Sequence, residues 1–177
     1  MNALPFPLFY LDFEASGVGP QSYPIEVGLG LWGGADRPIV TWSALIKPAL
    51  GWTEWNEASG RIHNIERGEL ATGLPVEIVA RRLNELMAGG VAYSDAPAME
   101  GWWAGRLYAA AGIEQTWAIG DADALLNRLD NFAVERRACW QERAHKAHRA
   151  GLDAERDLKG FARAIKARDV PVERRPL

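Results

Sequence analysis

Apolar and polar positions alternate in short runs over the first quarter of the chain. Residues 7–14 (PLFYLDFE), 24–32 (PIEVGLGLW) and 39–47 (IVTWSALIK) have the length and composition of strands, and the Gly- and Pro-rich pieces GVGPQSYP and GGADRP separate them. Three strands with such short connections predict an antiparallel meander. The period then changes. Residues 75–88 open with a proline suited to a first helical turn, place Val76, Val79, Leu83 and Leu86 at helical spacing, and stop at Gly89-Gly90. A strand at 91–94 (VAYS), a second proline-opened helix at 97–111 and a short strand at 115–119 (QTWAI) follow, and from 121 to about 168 the pattern is helical with a break at Gly151. The order βββ-α-β-α-β-α-α predicts an α/β fold: a mixed five-stranded sheet with helices on its faces. No internal repeat or linker interrupts it.

Composition narrows the class. The 177 residues, 48% hydrophobic and 24% charged, fit one domain spanning 1–177 with a real core, and they exclude disordered and fibrous classes. A single cysteine, Cys139, leaves no intramolecular disulfide and no cysteine-based zinc site. No stretch approaches the ~20 apolar residues of a membrane span. The first residues carry no basic leader pattern, so a cytoplasmic location is expected. Charge is polarised along the chain: residues 1–127 hold 7 Lys plus Arg against 15 Asp plus Glu, and residues 128–177 hold 13 against 8. A basic helical segment is more often a solvated face than a polyanion footprint, and charge alone favours the former.

The apolar first strand contains two acids, Asp12 and Glu14, spaced so that their side chains share one face. Neither a cap nor a turn accounts for them there. Like charges in a partly desolvated place raise each other's pKa unless a cation neutralises them, so the pair points to a metal. Asp95, ending the fourth strand, and Glu100, in the first turns of the next helix, add acids in YSDAPAMEGWW; His148 and Asp153 follow in AHRAGLDAERD. Taken singly these have structural explanations: Asp95 and Asp153 as helix N-caps, His148 as a surface residue at a helix end.

Together the pieces resemble the DEDDh exonucleases, the branch of the ribonuclease H-like superfamily that includes oligoribonuclease, ribonuclease T and proofreading exonuclease subunits. DFEASG at 12–17 looks like the family's first motif, and His148 and Asp153, separated by four residues in HRAGLDA, reproduce its last. IEVG at 25–28 and IHNI at 62–65 are further similarities. The middle motif departs: Asp95 stands where the family usually has Asn, and Met99-Glu100 where it has Phe-Asp. Either acid can complete the site. Asp95 is favoured narrowly as the shorter side chain at a strand end, with Glu100 as its rival.

The resemblance implies a ribonuclease H-like sheet and removal of nucleoside 5′-monophosphates from 3′ ends of single-stranded RNA or DNA. It implies two ions, Mg²⁺ or Mn²⁺, held by Asp12, Glu14, Asp95 and Asp153, an all-oxygen set suited to hard cations. His148 would be the general base, with Gly151 bending its segment inward. Ala15, Ser16, Gly17, His63, Trp103 and Arg149 would meet the nucleic acid; Arg143 and Lys146 would flank His148 near phosphates. Most of the eight tryptophans are expected in the core. Related enzymes are often homodimers, which leaves a homodimer open. The rival reading is a non-catalytic nucleic-acid-binding domain on the same fold.

Overall fold

A computed structural model of the chain describes residues 4–166 and 170–175. Its sheet is built on β1 (Leu8–Ala15), β2 (Pro24–Trp32), β3 (Ile39–Leu45), β4 (Val91–Ser94), β5 (Ala118–Asp121) and β6 (Val172–Arg174), in the spatial order β5-β4-β1-β2-β3-β6. The meander is present: β1, β2 and β3 are antiparallel neighbours. Strands β4 and β5 run parallel to β1 on one side, and β6 runs parallel to β3 on the other. This is the predicted α/β, ribonuclease H-like arrangement with six strands among the described residues instead of five. Three-residue β6 is too short and too charged to show a period in the sequence. β5 lies at Ala118–Asp121, three residues beyond the predicted start.

Strand β1 is central, so both its faces are covered. Phe9, Leu11 and Phe13 pack with Val79 and Leu83 of α2 (Val76–Met87) and Leu107 of α3 (Pro97–Ala111). Leu8 and Tyr10, on the opposite face, pack with Leu158 and Phe161 of the last helix, Ala150–Ala164. By alternation Asp12 and Glu14 belong to that second face. The segment from 57 to 72, unassigned in the sequence pattern, forms helix α1 (Glu57–His63), capped by the Asn56 side chain, and a short 3-10 turn at Arg67–Thr72. Beyond β5 come α4 (Asp123–Leu126), α5 (Asn131–Arg143) and the last helix, α6.

The helical break falls at residues 144–149, not at Gly151. Gly151 lies in the first turn of α6, and the left-handed residue is His148, at φ 51°. The glycine serves a close approach instead: a Cβ on Gly151 would stand 2.7 Å from the Cβ of Ser43 in β3. Gly28 in β2 is tighter still, since a Cβ there would come within 2.1 Å of the Ala150 carbonyl carbon. Gly28 pairs across the ladder with Asp12. A side chain at either glycine would push the start of α6 off the sheet, so both bring that helix end against β1's acids.

Candidate active site

The chain beyond β4 leaves a gap in the sheet. Strand β4 pairs with β1 only at Phe9 and Tyr10, so the Phe13 amide further along has no strand partner on that side. The Glu100 carboxylate, in the first turn of α3, accepts its hydrogen bond. Glu100 is thereby held against the carboxylate of Asp12, and both are buried, at 3% and 8% exposure. From the opposite side α6 brings Asp153, 1% exposed, whose Oδ1 accepts the Ala147 amide at 3.0 Å. Glu14, His148 and Asp153 lie with one ligand atom each inside a 4.8 Å circle. The left-handed backbone at His148 turns the chain into α6 beside them.

These acids are not neutralised by one another. Asp12 Oδ2, Glu100 Oε2 and Asp153 Oδ2 are buried without a hydrogen-bond partner among the described residues. Burial, then the charge of Glu14, raises the pKa of Asp12 well above the carboxylate range. Glu14 is pushed up to about 7 by burial, with Asp153 and Glu26 adding to it. Burial raises Glu100 too, helped by Asp12 and Asp95. The nearest offsetting charge is Lys146: burial works to lower its pKa, but Asp12, Asp95 and Asp153 outweigh burial and raise it. A buried unpartnered carboxylate oxygen costs several kcal/mol or takes up a proton, unless a cation fills the space. Oxygens of this kind, from β1, α3 and α6, are the donor type that a hard divalent ion takes.

Asp95 sits differently from Glu100. It is exposed and acts on Asp12 and Glu100 only through its charge. It stands one residue past the end of β4, whereas Glu100, in the first turn of α3, is buried.

A hollow of about 120 Å³ opens beside Glu14, with Ala15, Gly17, His63 and Trp103 on its walls and the exposed Val18 and Ile62 at its rim. His63 Nδ1 accepts the Ile65 amide at 3.1 Å, which leaves the proton of the neutral ring on Nε2, an atom with no partner among the described residues. Burial lowers the His63 pKa, so the ring is neutral at physiological pH. Trp103 donates Nε1–H to Ser22 Oγ at 3.1 Å, which fixes the indole.

Two expected contacts have other employment. Ser16 is fully buried: its amide donates to Tyr23 O at 2.9 Å, and its hydroxyl accepts the Tyr23 amide and donates to Glu54. It braces the turn after β1 and does not line the hollow. Arg149 Nε and one terminal nitrogen grip the Glu26 carboxylate at 2.7–3.2 Å, and the Ala150 amide adds a bond at 2.8 Å. Glu26 therefore caps α6 from β2, since Arg149, at the N-cap position, supplies no cap of its own. Arg149 thus anchors the His148 segment to the sheet.

Glu26 is the residue missed by sequence reasoning, and Lys146, expected near phosphates, lies instead among the charges of Asp12, Asp95 and Asp153. Glu26 had the same signal as Asp12, an acid inside an apolar strand. For Lys146 the sequence signal was its place two residues before His148.

Neither a protein-family model nor a curated protein sequence matches the chain. Solved structures do. A zinc-bound complex of exonuclease I from E. coli with single-stranded DNA superposes with a TM-score of 0.66 at 14% identity, over 92% of this chain and 40% of that one. Exonuclease I of E. coli with a dA16 oligonucleotide gives 0.66 at 13%, covering 92% and 41%. A moderately thermophilic exonuclease I from Methylocaldum szegediense gives 0.65 at 15%, covering 92% and 40%. The chain spans about two fifths of the length of these proteins, and its fold is exonuclease-like.

Proposed function

We propose that the chain is a metal-dependent 3′–5′ exonuclease acting on single-stranded nucleic acid, with residues 1–177 as its exonuclease domain. One observation carries this reading: buried carboxylates from β1, α3 and α6 lie within one another's charge, three of them with an oxygen unpartnered among the described residues, and a histidine and a hollow of about 120 Å³ adjoin them. The exonuclease I structures of the same fold, two of them described as bound to single-stranded DNA or an oligonucleotide, support it.

Asp12, Glu14, Glu100 and Asp153 would hold two divalent ions, with Glu100 in the place first assigned to Asp95. The burial and orphaned oxygen of Glu100 support that exchange. Bound Mg²⁺ or Mn²⁺ would supply positive charge for the phosphodiester and lower the pKa of water. The protein's own share is positioning and proton handling. Asp12 and Glu100 are fixed by strand and helix backbone, so they need no rearrangement to hold charge in place. His148, on its left-handed residue and next to Glu14 and Asp153, takes the proton of the attacking water at its imidazole nitrogen. The hollow accepts the terminal nucleoside, with the Trp103 ring and Ala15 as apolar walls and the His63 Nε2–H as a donor. Products would be nucleoside 5′-monophosphates.

Single-stranded DNA and RNA labelled at the 5′ end, incubated with Mg²⁺, Mn²⁺ or chelator, test this. A ladder shortening from the 3′ end in metal, and none in chelator, is expected. Label released at once as a mononucleotide, or cuts within a circular strand, would refute the 3′–5′ assignment.

A further inference from the structure

A second, roomier cavity lies away from the acids. A groove of about 680 Å³ runs between the loop after β3, the start of α2 and the second half of α3, lined by Lys47, Leu50, Trp52, Val76, Glu77 and Arg106 among others. Its charge is unbalanced. Neither Lys47 nor Arg106 has an ion pair among the described residues, and Arg106 Nε is buried without a hydrogen-bond partner. The guanidinium is nonetheless held in place: its carbon stands 5.8 Å from the centre of the Trp52 ring, and Trp52 stacks on Tyr23 at 5.1 Å and 21°. Lys47 is exposed, yet its backbone amide is tied to Leu74 O at 2.8 Å. Helix α2 begins at the same groove with no side-chain cap on its first amides. The opposing charge is Glu77, exposed in that first turn.

The groove communicates with the site along α3. Glu100, Trp103 and Arg106 follow one another at three-residue spacing, so Arg106 lies ~9 Å along the helix from the acid. Buried side chains link the two beneath the surface: Trp103 bonds Ser22, Tyr23 follows Ser22, and Tyr23 stacks on Trp52.

We infer that the groove formed by Lys47, Trp52 and Arg106 is a second phosphate subsite, which takes a backbone phosphate of the single strand upstream of its 3′ end. This rests on the proposed nuclease reading for its strand, though not for its phosphate chemistry. Two cations unpaired among the described residues, Arg106 over an aromatic face and the exposed Lys47 beside it, read a phosphate without reading a base. Such a contact lets the protein favour strands long enough to span from the hollow to the groove.

Anisotropy with 5′-fluorescein oligothymidylates of two and eight nucleotides, in chelator so that nothing is cleaved, tests the inference. Lys47→Gln and Arg106→Gln should each weaken the eight-mer roughly five- to tenfold and reduce its salt slope by about 0.7, while the dinucleotide is unaffected. Arg106→Lys should retain most of the affinity, and Glu77→Gln should tighten the eight-mer. Eight-mer affinity indifferent to Lys47→Gln and Arg106→Gln would overturn the inference, as would equal losses for both lengths. Thymidine 5′-monophosphate is the free-phosphate arm: if its binding alone depends on Lys47, the groove holds a free nucleotide and the strand assignment falls. The nuclease reading fails separately. An inactive protein that still grips the eight-mer through Lys47 and Arg106 would keep the groove and lose the enzyme; an active one indifferent to both would do the reverse.

Discussion

Glu14 and Glu26 are register partners across β1 and β2, and they behave as opposites. Glu26 is bonded by Arg149 and the Ala150 amide. Glu14 is pushed up to about 7 among other acids. The same division runs through α6. Its distal acids are engaged: Glu155 with Lys159 and Arg174 at 2.7–3.0 Å, and Asp157 with Arg137 and Gln141, at 3.3 and 2.6 Å. Burial still raises Asp157 against the pull of Arg137. Asp153, one turn earlier, spends one oxygen on a backbone amide and leaves the other bare. Acids that hold the fold bring their own cations, whereas Asp12, Glu100 and Asp153 each keep an oxygen without a partner among the described residues.

The sharpest break in that comparison is between activity and stability. Asp12→Asn or Glu100→Gln should cost roughly a thousandfold or more in degradation rate, at least the loss of one preorganised charge-stabilising group. Thermal melts of either variant without metal should match or exceed the parent, because a repelling neighbour has gone. A marked loss of melting temperature would class these acids with the structural set.

Next in size, His148→Ala should slow cleavage roughly a hundredfold, the lower end of acid–base effects, and leave the metal-induced rise in melting temperature intact. Loss of that rise would make His148 a ligand instead of a base.

Glu26→Gln moves the other way. It should lower stability by ~1–2 kcal/mol as the start of α6 loses a charged cap, about 4 °C in melting temperature, and slow cleavage only a few-fold through the displaced His148 segment.

Acidity gives a subtler separation. Glu14 titrates at 4.5 when unperturbed and at about 7 in the folded chain, so the unfolded form sheds its proton first as pH rises. Metal-free stability should therefore fall between about pH 4.5 and 7 and stay low above that window. Saturating Mn²⁺ or Glu14→Gln should flatten the curve; an unchanged slope in Glu14→Gln would assign the effect elsewhere. The smallest effect expected is at Asp95: with an exposed side chain that acts through charge alone, Asp95→Asn should change the cleavage rate less than about threefold.

Much of this was legible in the sequence because it is local. Alternation in LFYLDFE placed Asp12 and Glu14 on one face, and the strands at 24–32 and 91–94 and the helix at 97–111 follow from period and proline. What escaped depends on partners far along the chain. Arg149 reads as a phosphate ligand until Glu26, 123 residues earlier, takes its guanidinium. Gly151 reads as a hinge until Ser43 is packed against it. The difference in burial between Asp95 and Glu100 follows from β4 stopping short of Phe13, which frees the amide that Glu100 binds, and strand pairing of that kind leaves no local mark.

The central claim is that the unpartnered acids form a cation site, and calorimetric titration of the chain with Mn²⁺ tests it most directly. The account predicts two ions bound per chain, binding abolished in Asp12→Asn, weakened in Glu100→Gln and unchanged in Asp95→Asn. No binding by the parent chain, or binding that ignores Asp12 and Glu100, would contradict it.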